Sequence, residues 1–272
     1  MLGAEEYFDL KEFKHKNIFQ GIDYVWEAIG NLKKYIENSI SPNLSWLGGI
    51  AIHDTIVVAD GSEVKAPCKI TRGKISKGGL AVTGNGQKVK GASVIDAGAF
   101  IYDDNIYIGR GSLIESGALI KGPTIIGNNV EIRQGAYIRG NCIIGDNCVV
   151  GHATEIKNSI MLNGSKAAHF AYVGDSILGN NVNLGAGTRL ANIYLKNIKI
   201  IVMTKEKKYW TDLDKLGAIL GDGTQTGCNS VCNPGTLVGK SSLIYPGVTV
   251  AANTYPKRSK IGLNVTNLFE VR

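Results

Sequence analysis

The chain has little proline, little histidine and few aromatic residues, and these shortages exclude several classes of protein. It has only 6 prolines in 272 residues, which does not fit a collagen-like or proline-rich linker protein. Aromatic residues make up 7% and the basic residues are scattered, unlike a single-strand nucleic-acid binder. No apolar run reaches the roughly 18 residues that span a bilayer, and the N-terminus lacks an apolar secretory core. We therefore expect a cytoplasmic protein without nucleic-acid or membrane partners.

The cysteines are too few and too dispersed for a disulfide framework or a zinc ribbon. They are odd in number and form no pair separated by two residues, which indicates structural thiols in a reducing compartment. The net charge of +7 favours anionic partners without choosing among them. The five cysteines are Cys68, Cys142, Cys148, Cys228 and Cys232.

What the chain does have is glycine, 35 residues, and a six-residue repeat. Aliphatic residues recur at every sixth position through the middle of the chain, and the position four residues later is usually small or β-branched. Neither a helix nor a simple alternating strand gives this period, whereas a parallel β-helix does. The ten aliphatic positions are Ile108, Ile114, Ile120, Ile126, Ile132, Ile138, Ile144, Val150, Ile156 and Leu162.

The corners of the repeat carry glycine and asparagine, which tolerate left-handed backbone. Examples are Gly127-Asn128-Asn129, Gly145-Asp146-Asn147 and Gly179-Asn180-Asn181. Fainter forms of the period precede and follow the central ten positions. The earlier form comprises Ile52, Val58, Val64 and Ile70, and the later one Leu220, Thr226, Cys232, Val238, Ile244 and Val250.

Interruptions of the repeat define the predicted organisation. Residues 49–252 form the β-helix, with excursions at 71–94, 163–177 and 193–217 and a hairpin around Lys205-Glu206-Lys207. Residues 1–48 form a helical appendage that either caps the open end of the core or docks a partner. Its amphipathic spacing comprises Ile22, Val25, Ile29, Leu32 and Ile36. Residues 253–272 form a C-terminal tail or cap. The fold class is all-β.

The chemistry is predicted to lie where the phase of the repeat slips. Of four histidines, His15 and His53 read as surface or packing residues, and His152 as part of the wall. His169 falls inside the interruption among small residues. Imidazole is the side chain best suited to proton transfer near neutral pH, so His169 is the candidate general base.

Residues 136–192 resemble the acetyltransferase domain of the bifunctional glucosamine-1-phosphate acetyltransferase / N-acetylglucosamine-1-phosphate uridyltransferase family. The resemblance is carried by Tyr137-Ile138-Arg139, Glu155-Ile156-Lys157, the block from Gly164 to Asp175, and Asn181-Val182-Asn183-Leu184-Gly185-Ala186-Gly187-Thr188. It continues more loosely from Lys215 to Val250. The 107 residues before Ile108 are too few for the uridyltransferase domain, so we expect no uridylyl transfer.

The resemblance implies a left-handed β-helix, a homotrimer and an active site between subunits. His169 matches the base that deprotonates the sugar amine as it attacks acetyl-CoA. Glu155 matches a residue that supports this base, and the N–H of Ala186 matches the group that binds the thioester oxygen. Arg139 and Lys157 match sugar-phosphate ligands, and Tyr172, Asn183, Asn192 and Lys215 match further substrate contacts.

The residues alone agree with parts of this assignment. Arg139 and Lys157 are eighteen residues apart, or three hexads, so they stack on adjacent coils and could clamp one phosphate. The resemblance, in contrast, is what places Cys228 and Pro246 at the cofactor, where the family has a serine and an alanine, and both contacts could be made by backbone. The charges of Lys257 and Arg258 suit the 3′-phosphate of CoA.

Three alternatives stay open. Another hexapeptide acyltransferase would use a nucleotide sugar or an amino acid as acceptor. A metal-dependent hydratase of the γ-carbonic-anhydrase type would need three converging histidines; His152 and His169 are seventeen residues apart, and no metal site is predicted. A non-catalytic β-helix would instead scaffold a separate nucleotidyltransferase through the helix at 21–38.

Overall fold

The protein is a parallel β-helix with three sides, as seen in a computed structural model that describes residues 2–196 and 198–263. Within these residues the sides are sheets of nine, eleven and eight strands, which the chain visits in turn. This confirms the predicted β-helix.

The strand bounds follow sheet by sheet. The nine-stranded sheet contains Ile50–Ala51, Phe100–Ile101, Leu119–Ile120, Tyr137–Ile138, Glu155–Lys157, Tyr172–Gly174, Arg189–Leu190, Val231–Cys232 and Thr249–Val250. The eleven-stranded sheet contains Ser62–Glu63, Ile56–Ala59, Ser93–Ile95, Leu113–Ile114, Glu131–Ile132, Val149–His152, Lys166–His169, Asn183–Leu184, Gln225–Thr226, Leu243–Ile244 and Lys260–Ile261. The eight-stranded sheet contains Ile106–Ile108, Thr124–Ile126, Cys142–Ile144, Ser159–Met161, Ile177–Leu178, Ala218–Leu220, Thr236–Val238 and Thr254–Tyr255.

Nine of the ten predicted hexad positions, from Ile108 to Ile156, point into the prism. Ile120, Ile132 and Ile138 are fully buried in one continuous core with the thiols of Cys142 and Cys148. Burial raises the pKa of Cys148 to about 11 and that of Cys142 to about 12, so both stay protonated near neutral pH. The corners use left-handed asparagine: φ is 53° at Asn129, 61° at Asn147 and 56° at Asn181.

The predicted excursion at 163–177 is wrong, because these residues are regular coil. Lys166–His169, Tyr172–Gly174 and Ile177–Leu178 are strands in register with the preceding coil. The phase slips because the steps from Ile156 to Met161 and from Val173 to Leu178, which both lead into the eight-stranded sheet, take five residues instead of six. Met161 therefore points into the core, and Leu162, which the six-residue count places inward, packs outside it.

The N-terminal segment covers one side of the prism rather than its end. It contains helix α1 (Ala4–Tyr7), a 3₁₀ turn (Lys16–Phe19) and helix α2 (Glu27–Ser39). The apolar face of this segment packs on the outward residues of the eight-stranded sheet and buries them. These outward residues include Ile125, Ile143, Ile160, Ile177, Ile219 and Leu237. Among the described residues, neither helix is long or apolar enough to cross a bilayer.

The open end is closed by the residues that follow α2. Leu44, Leu47 (within a 3₁₀ turn, Ser45–Leu47) and Ile52 join the core of the prism. The end-cap role predicted for residues 1–48 therefore belongs to residues 44–52, while most of the appendage lies along the side.

The earlier form of the repeat is wrong beyond Val58. Ile56–Ala59 pairs antiparallel with the first coil strand, Ser93–Ile95. Ile70 belongs to an antiparallel sheet of three strands, Cys68–Arg72, Leu80–Gly84 and Gln87–Lys88, with a 3₁₀ turn at Ile75–Lys77. This sheet packs on the outward face of the eleven-stranded sheet through Ile75 and Val82, which contact the cluster of Val94 and Leu113.

The later interruption is an antiparallel hairpin, Ile201–Met203 with Lys208–Trp210. It turns at Thr204–Lys207 as predicted, and the coil resumes at Ala218. The β-helix also continues past 253 through Thr254–Tyr255 and Lys260–Ile261, so the predicted tail at 253–272 begins within the last coil. Residues 264–272 of that tail lie outside the described residues.

Candidate active site

His169 ends a strand of the eleven-stranded sheet and is exposed at the corner that leads to the nine-stranded sheet. The backbone is fixed there, because the carbonyl oxygen of His169 accepts the N–H of Gly187 at 3.0 Å. The next residue, Phe170, has φ of 51° and is 54% exposed. The imidazole is therefore held outside the prism by the turn that follows it.

The cofactor residues predicted from the resemblance fall into two places. Ala186-Gly187, Cys228-Asn229 and Pro246-Gly247 stack at the corner of His169, joined by N–H bonds from Asn229 to Ala186 and from Gly247 to Cys228, both 2.8 Å. Among the described residues, the N–H of Ala186 meets no protein acceptor. Lys257 and Arg258 lie at a different corner, where the Arg258 N–H bonds Lys240.

Arg139, Glu155 and Tyr172 share the outer face of the nine-stranded sheet. Glu155 and Tyr172 are in register on adjacent rungs. Arg139 Nη1 donates to Glu155 Oε1 at 2.8 Å, and this bond raises the pKa of the arginine. Burial, aided by the charges of Asp175 and Glu155, raises the pKa of the Tyr172 phenol. The polar partner of Glu155 within the described residues is thus Arg139, whereas the resemblance predicts that Glu155 supports His169.

Lys157 sits on the rung after Arg139 and is held by Asp175, a residue to which the sequence analysis gave no role. Lys157 Nζ lies 2.8 Å from Asp175 Oδ2, with the two side chains 23% and 5% exposed. The amides of Asn158 and Asn192 also donate to this carboxylate. The signal that could have found Asp175 was its place as the last residue of the motif block from Gly164 to Asp175.

The remaining predicted substrate residues lie on either side of this face. Asn183 is on the eleven-stranded sheet, in register with Lys166 and Gln225. Lys215 is exposed at the end of the hairpin excursion, beside Leu216, whose N–H bonds the carbonyl oxygen of Asn192. Lys215 therefore adjoins the residue that bonds Asn192, and Asn183 begins the strand next to the one that His169 ends.

His152 and His169 are closer in space than their separation of seventeen residues suggested, because seventeen residues make one coil. They occupy matching positions on adjacent strands. His152 Nδ1 lies 2.9 Å from the carbonyl oxygen of Gln134, and its ring packs edge-on against Phe170. Within residues 2–196 and 198–263, no three His, Cys, Asp or Glu side chains converge as a metal site would require.

Known proteins match this part of the chain. A family model described as the GMPPB C-terminal domain matches residues 120–252. A bifunctional sugar-1-phosphate nucleotidylyltransferase/acetyltransferase from Sulfurisphaera tokodaii is 40% identical over 98 residues, 36% of this chain and 24% of that protein. The bifunctional protein GlmU of a Synechococcus species is 36% identical over 162 residues, 56% of this chain and 32% of that protein.

This chain is homologous to these bifunctional enzymes. The homology falls on their acetyltransferase region, as the motifs predicted. The chain spans about a quarter to a third of the length of these relatives. Among solved structures, a hexapeptide transferase family protein from Anaplasma phagocytophilum aligns with a TM-score of 0.29 and 18% identity, over 57% of this chain and 71% of that one.

Proposed function

We propose that the chain is an acetyl-CoA-dependent N-acetyltransferase that acts on an amino-sugar 1-phosphate, with glucosamine-1-phosphate as the leading acceptor. The observation that carries this proposal is the corner where exposed His169 adjoins Ala186, whose N–H meets no acceptor within the described residues. A base and an oxyanion donor next to each other are what acyl transfer to an amine requires.

In the proposed reaction the 2-amino nitrogen of the sugar attacks the thioester carbonyl carbon. His169 takes the proton that the amine loses, and the Ala186 N–H stabilises the negative charge on the oxygen. The C–S bond then breaks, and the CoA thiolate leaves and is protonated. Because the carbonyl oxygen of Ala186 accepts the N–H of Asn229, the backbone there is fixed, and the Ala186 N–H is preorganised for the charge that develops.

The phosphate of the acceptor is assigned to Arg139 and Lys157 on successive rungs. The guanidinium of Arg139 is 43% exposed and its partner Glu155 is also accessible, so a phosphate can replace that carboxylate. Lys157 is already paired with buried Asp175 and contributes mainly by position. Tyr172, Asn192 and Lys215 line the same end of the face, and Asn183 lies on the side of the base.

Two copies of the chain would complete this site. The corner of His169 and the end of the face with Lys157 and Asn192 lie at opposite edges of the nine-stranded sheet. We therefore assign the base and the phosphate ligands to neighbouring subunits of a homotrimer. Ala186, Cys228 and Pro246 remain assigned to acetyl-CoA by their shared corner, whereas the position of Lys257 and Arg258 gives no support to their assignment.

A thiol-release assay tests this function directly. The purified chain with acetyl-CoA should release free CoA only when an amino-sugar 1-phosphate is present, and glucosamine-1-phosphate and galactosamine-1-phosphate should be compared. Mass spectrometry should find the N-acetylated sugar phosphate. Thiol release that does not depend on the sugar, or no turnover with any amino-sugar phosphate, would contradict the proposal.

A further inference from the structure

The face that carries Arg139 continues toward the N-terminal end of the prism with cations and aromatic rings. Ile101, Ile120 and Ile138 point into the core, fully buried. Their neighbours Tyr102 and Lys121 therefore point outward, because side chains alternate along a strand. The N–H of Tyr102 bonds Ile120 and that of Lys121 bonds Ile138, so these residues and Arg139 follow each other on three successive rungs.

Lys121 is held between two tyrosines. Its Nζ lies 4.4 Å from the ring centroid of Tyr102 and 5.7 Å from that of Tyr137, and the guanidinium of Arg139 lies 5.9 Å from the Tyr137 ring. Tyr102 is 50% exposed. The tyrosines position the ammonium group without neutralising it.

Lys121 also differs from the two cations that follow it along the face. Arg139 meets Glu155 and Lys157 meets Asp175. No carboxylate in the described part of the chain lies within ion-pair distance of Lys121. An ammonium that forms no ion pair within the described residues, one rung from a guanidinium, matches two adjacent phosphates.

We propose that this face binds a nucleoside diphosphate, and that the acceptor is bound as its nucleoside-diphosphate ester more tightly than as the free 1-phosphate. One phosphate binds Arg139 and the next binds Lys121, and the nucleobase stacks on the ring of Tyr102. From Tyr172 to Tyr102 the face spans five rungs, whose four intervals add up to about 19 Å. The amino sugar lies at the end of the face with Lys157 and Asn192, and the two phosphates and the nucleobase follow in that order toward Tyr102.

The direction of the sugar in this inference rests on the proposed function, but the nucleotide site can be tested without it. Titration calorimetry on the full chain, without acetyl-CoA, should compare UDP, GDP and dTDP with inorganic diphosphate. At least one nucleotide should bind about tenfold more tightly than inorganic diphosphate, because base stacking adds to the charge contacts. Equal binding of all four, or no binding, would overturn the proposal.

Variants separate the two contacts. Lys121→Ala should weaken binding of that nucleotide about tenfold, since a charged hydrogen bond is lost. Tyr102→Ala should weaken it similarly, while Tyr102→Phe should retain the affinity because the ring remains. Lys33→Ala, an exposed lysine paired with Glu37 on α2, is the matched control and should change nothing.

Two further outcomes keep the site distinct from an interface and from the catalytic proposal. Native mass spectrometry should give the same oligomeric state for Tyr102→Ala and the wild type; a change would show that the face contacts another copy and would overturn the nucleotide site.

Nucleotide binding should survive His169→Ala. In the wild-type chain, nucleotide binding without acetyl transfer would contradict only the proposed function, and acetyl transfer without nucleotide binding would contradict only this inference.

Discussion

The eight-stranded and nine-stranded sides of the prism both point apolar residues inward, but their outward residues differ in polarity. In the eight-stranded sheet most outward positions are isoleucine or leucine, as at Ile143 and Ile160, and the chain covers them with its own N-terminal segment. In the nine-stranded sheet the corresponding positions are Tyr137, Glu155 and Tyr172, which stay partly exposed. The hexad therefore builds the coil, and the residues between the hexad positions decide whether a side becomes core or site.

The largest expected effect is on the site side. His169→Ala should lower kcat with the amino-sugar phosphate by about 10²–10⁴-fold, because the amine loses its general base. His152→Ala is the matched control, since His152 occupies the same position one coil earlier and bonds Gln134. Steady-state thiol release measures both. Wild-type activity in His169→Ala, or equal losses in the two variants, would contradict the assignment.

The covered side should respond most strongly in stability. Ile160→Ala removes a fully buried side chain beneath the N-terminal segment and should lower the free energy of unfolding by about 2–4 kcal/mol. Tyr137→Ala, an outward residue of the site side, should cost about 1 kcal/mol or less. Urea denaturation with fitted m values measures the difference. Equal costs would show that the two sides are not distinguished by what covers them.

The covered side should also weaken in acid. His15 lies against Tyr35, with its Nδ1 3.3 Å from the hydroxyl, and burial, followed by the charge of Lys14, lowers its pKa to about 4 despite nearby Asp146. The unfolded histidine titrates near 6.5 and takes up the proton first. The contribution of His15 to the free energy of unfolding is therefore fully present above about pH 6.5. It is lost as the pH falls toward 4, by up to about 3 kcal/mol.

Denaturation midpoints across this pH window test the effect. His15→Gln should flatten the curve between pH 6.5 and 4 relative to the wild type, because the buried titrating group is gone. His53→Gln, which changes a histidine that does not belong to the covering segment, should leave the curve unchanged. An identical pH dependence in His15→Gln and the wild type would exclude His15 as its source.

The smallest effects distinguish the two ion pairs of the site face. Asp175→Asn should cost about 2 kcal/mol of stability and raise KM for the sugar phosphate, because a buried carboxylate that orients Lys157 and Asn192 is lost. Glu155→Gln breaks an exposed pair and should cost less than about 1 kcal/mol. Thermal melts and substrate titrations of both variants measure this. The same stability loss in both would contradict the difference in burial.

The sequence predicted the regular coils well. It predicted poorly where the repeat changes phase and where the first coil begins. Ile108 to Ile156 point inward because a parallel coil of three hexads returns each of these positions to the same side. Leu162 was misplaced because a five-residue step leaves no mark in composition. Val64 and Ile70 kept an apolar rhythm but pair antiparallel, and that choice depends on which strands they meet.

The candidate site shows the same limit. His169 could be singled out by its motif and its neighbours, and Arg139 and Lys157 by their spacing. Asp175 was missed because its role depends on three donors that come from two coils and a corner. Lys257 and Arg258 had suitable charges, yet adjacent sequence positions do not tell which corner of a prism they reach.

The sequence by itself determined the coil, because a period of six is a property of each residue and its position in the chain. It also determined the left-handed corners, since asparagine and glycine tolerate that backbone locally. Only the tertiary structure decided which side the N-terminal segment covers, which carboxylate each cation meets, and that His152 and His169 are neighbours. Those outcomes depend on contacts between residues on different coils, and such contacts exist only once the coils have stacked.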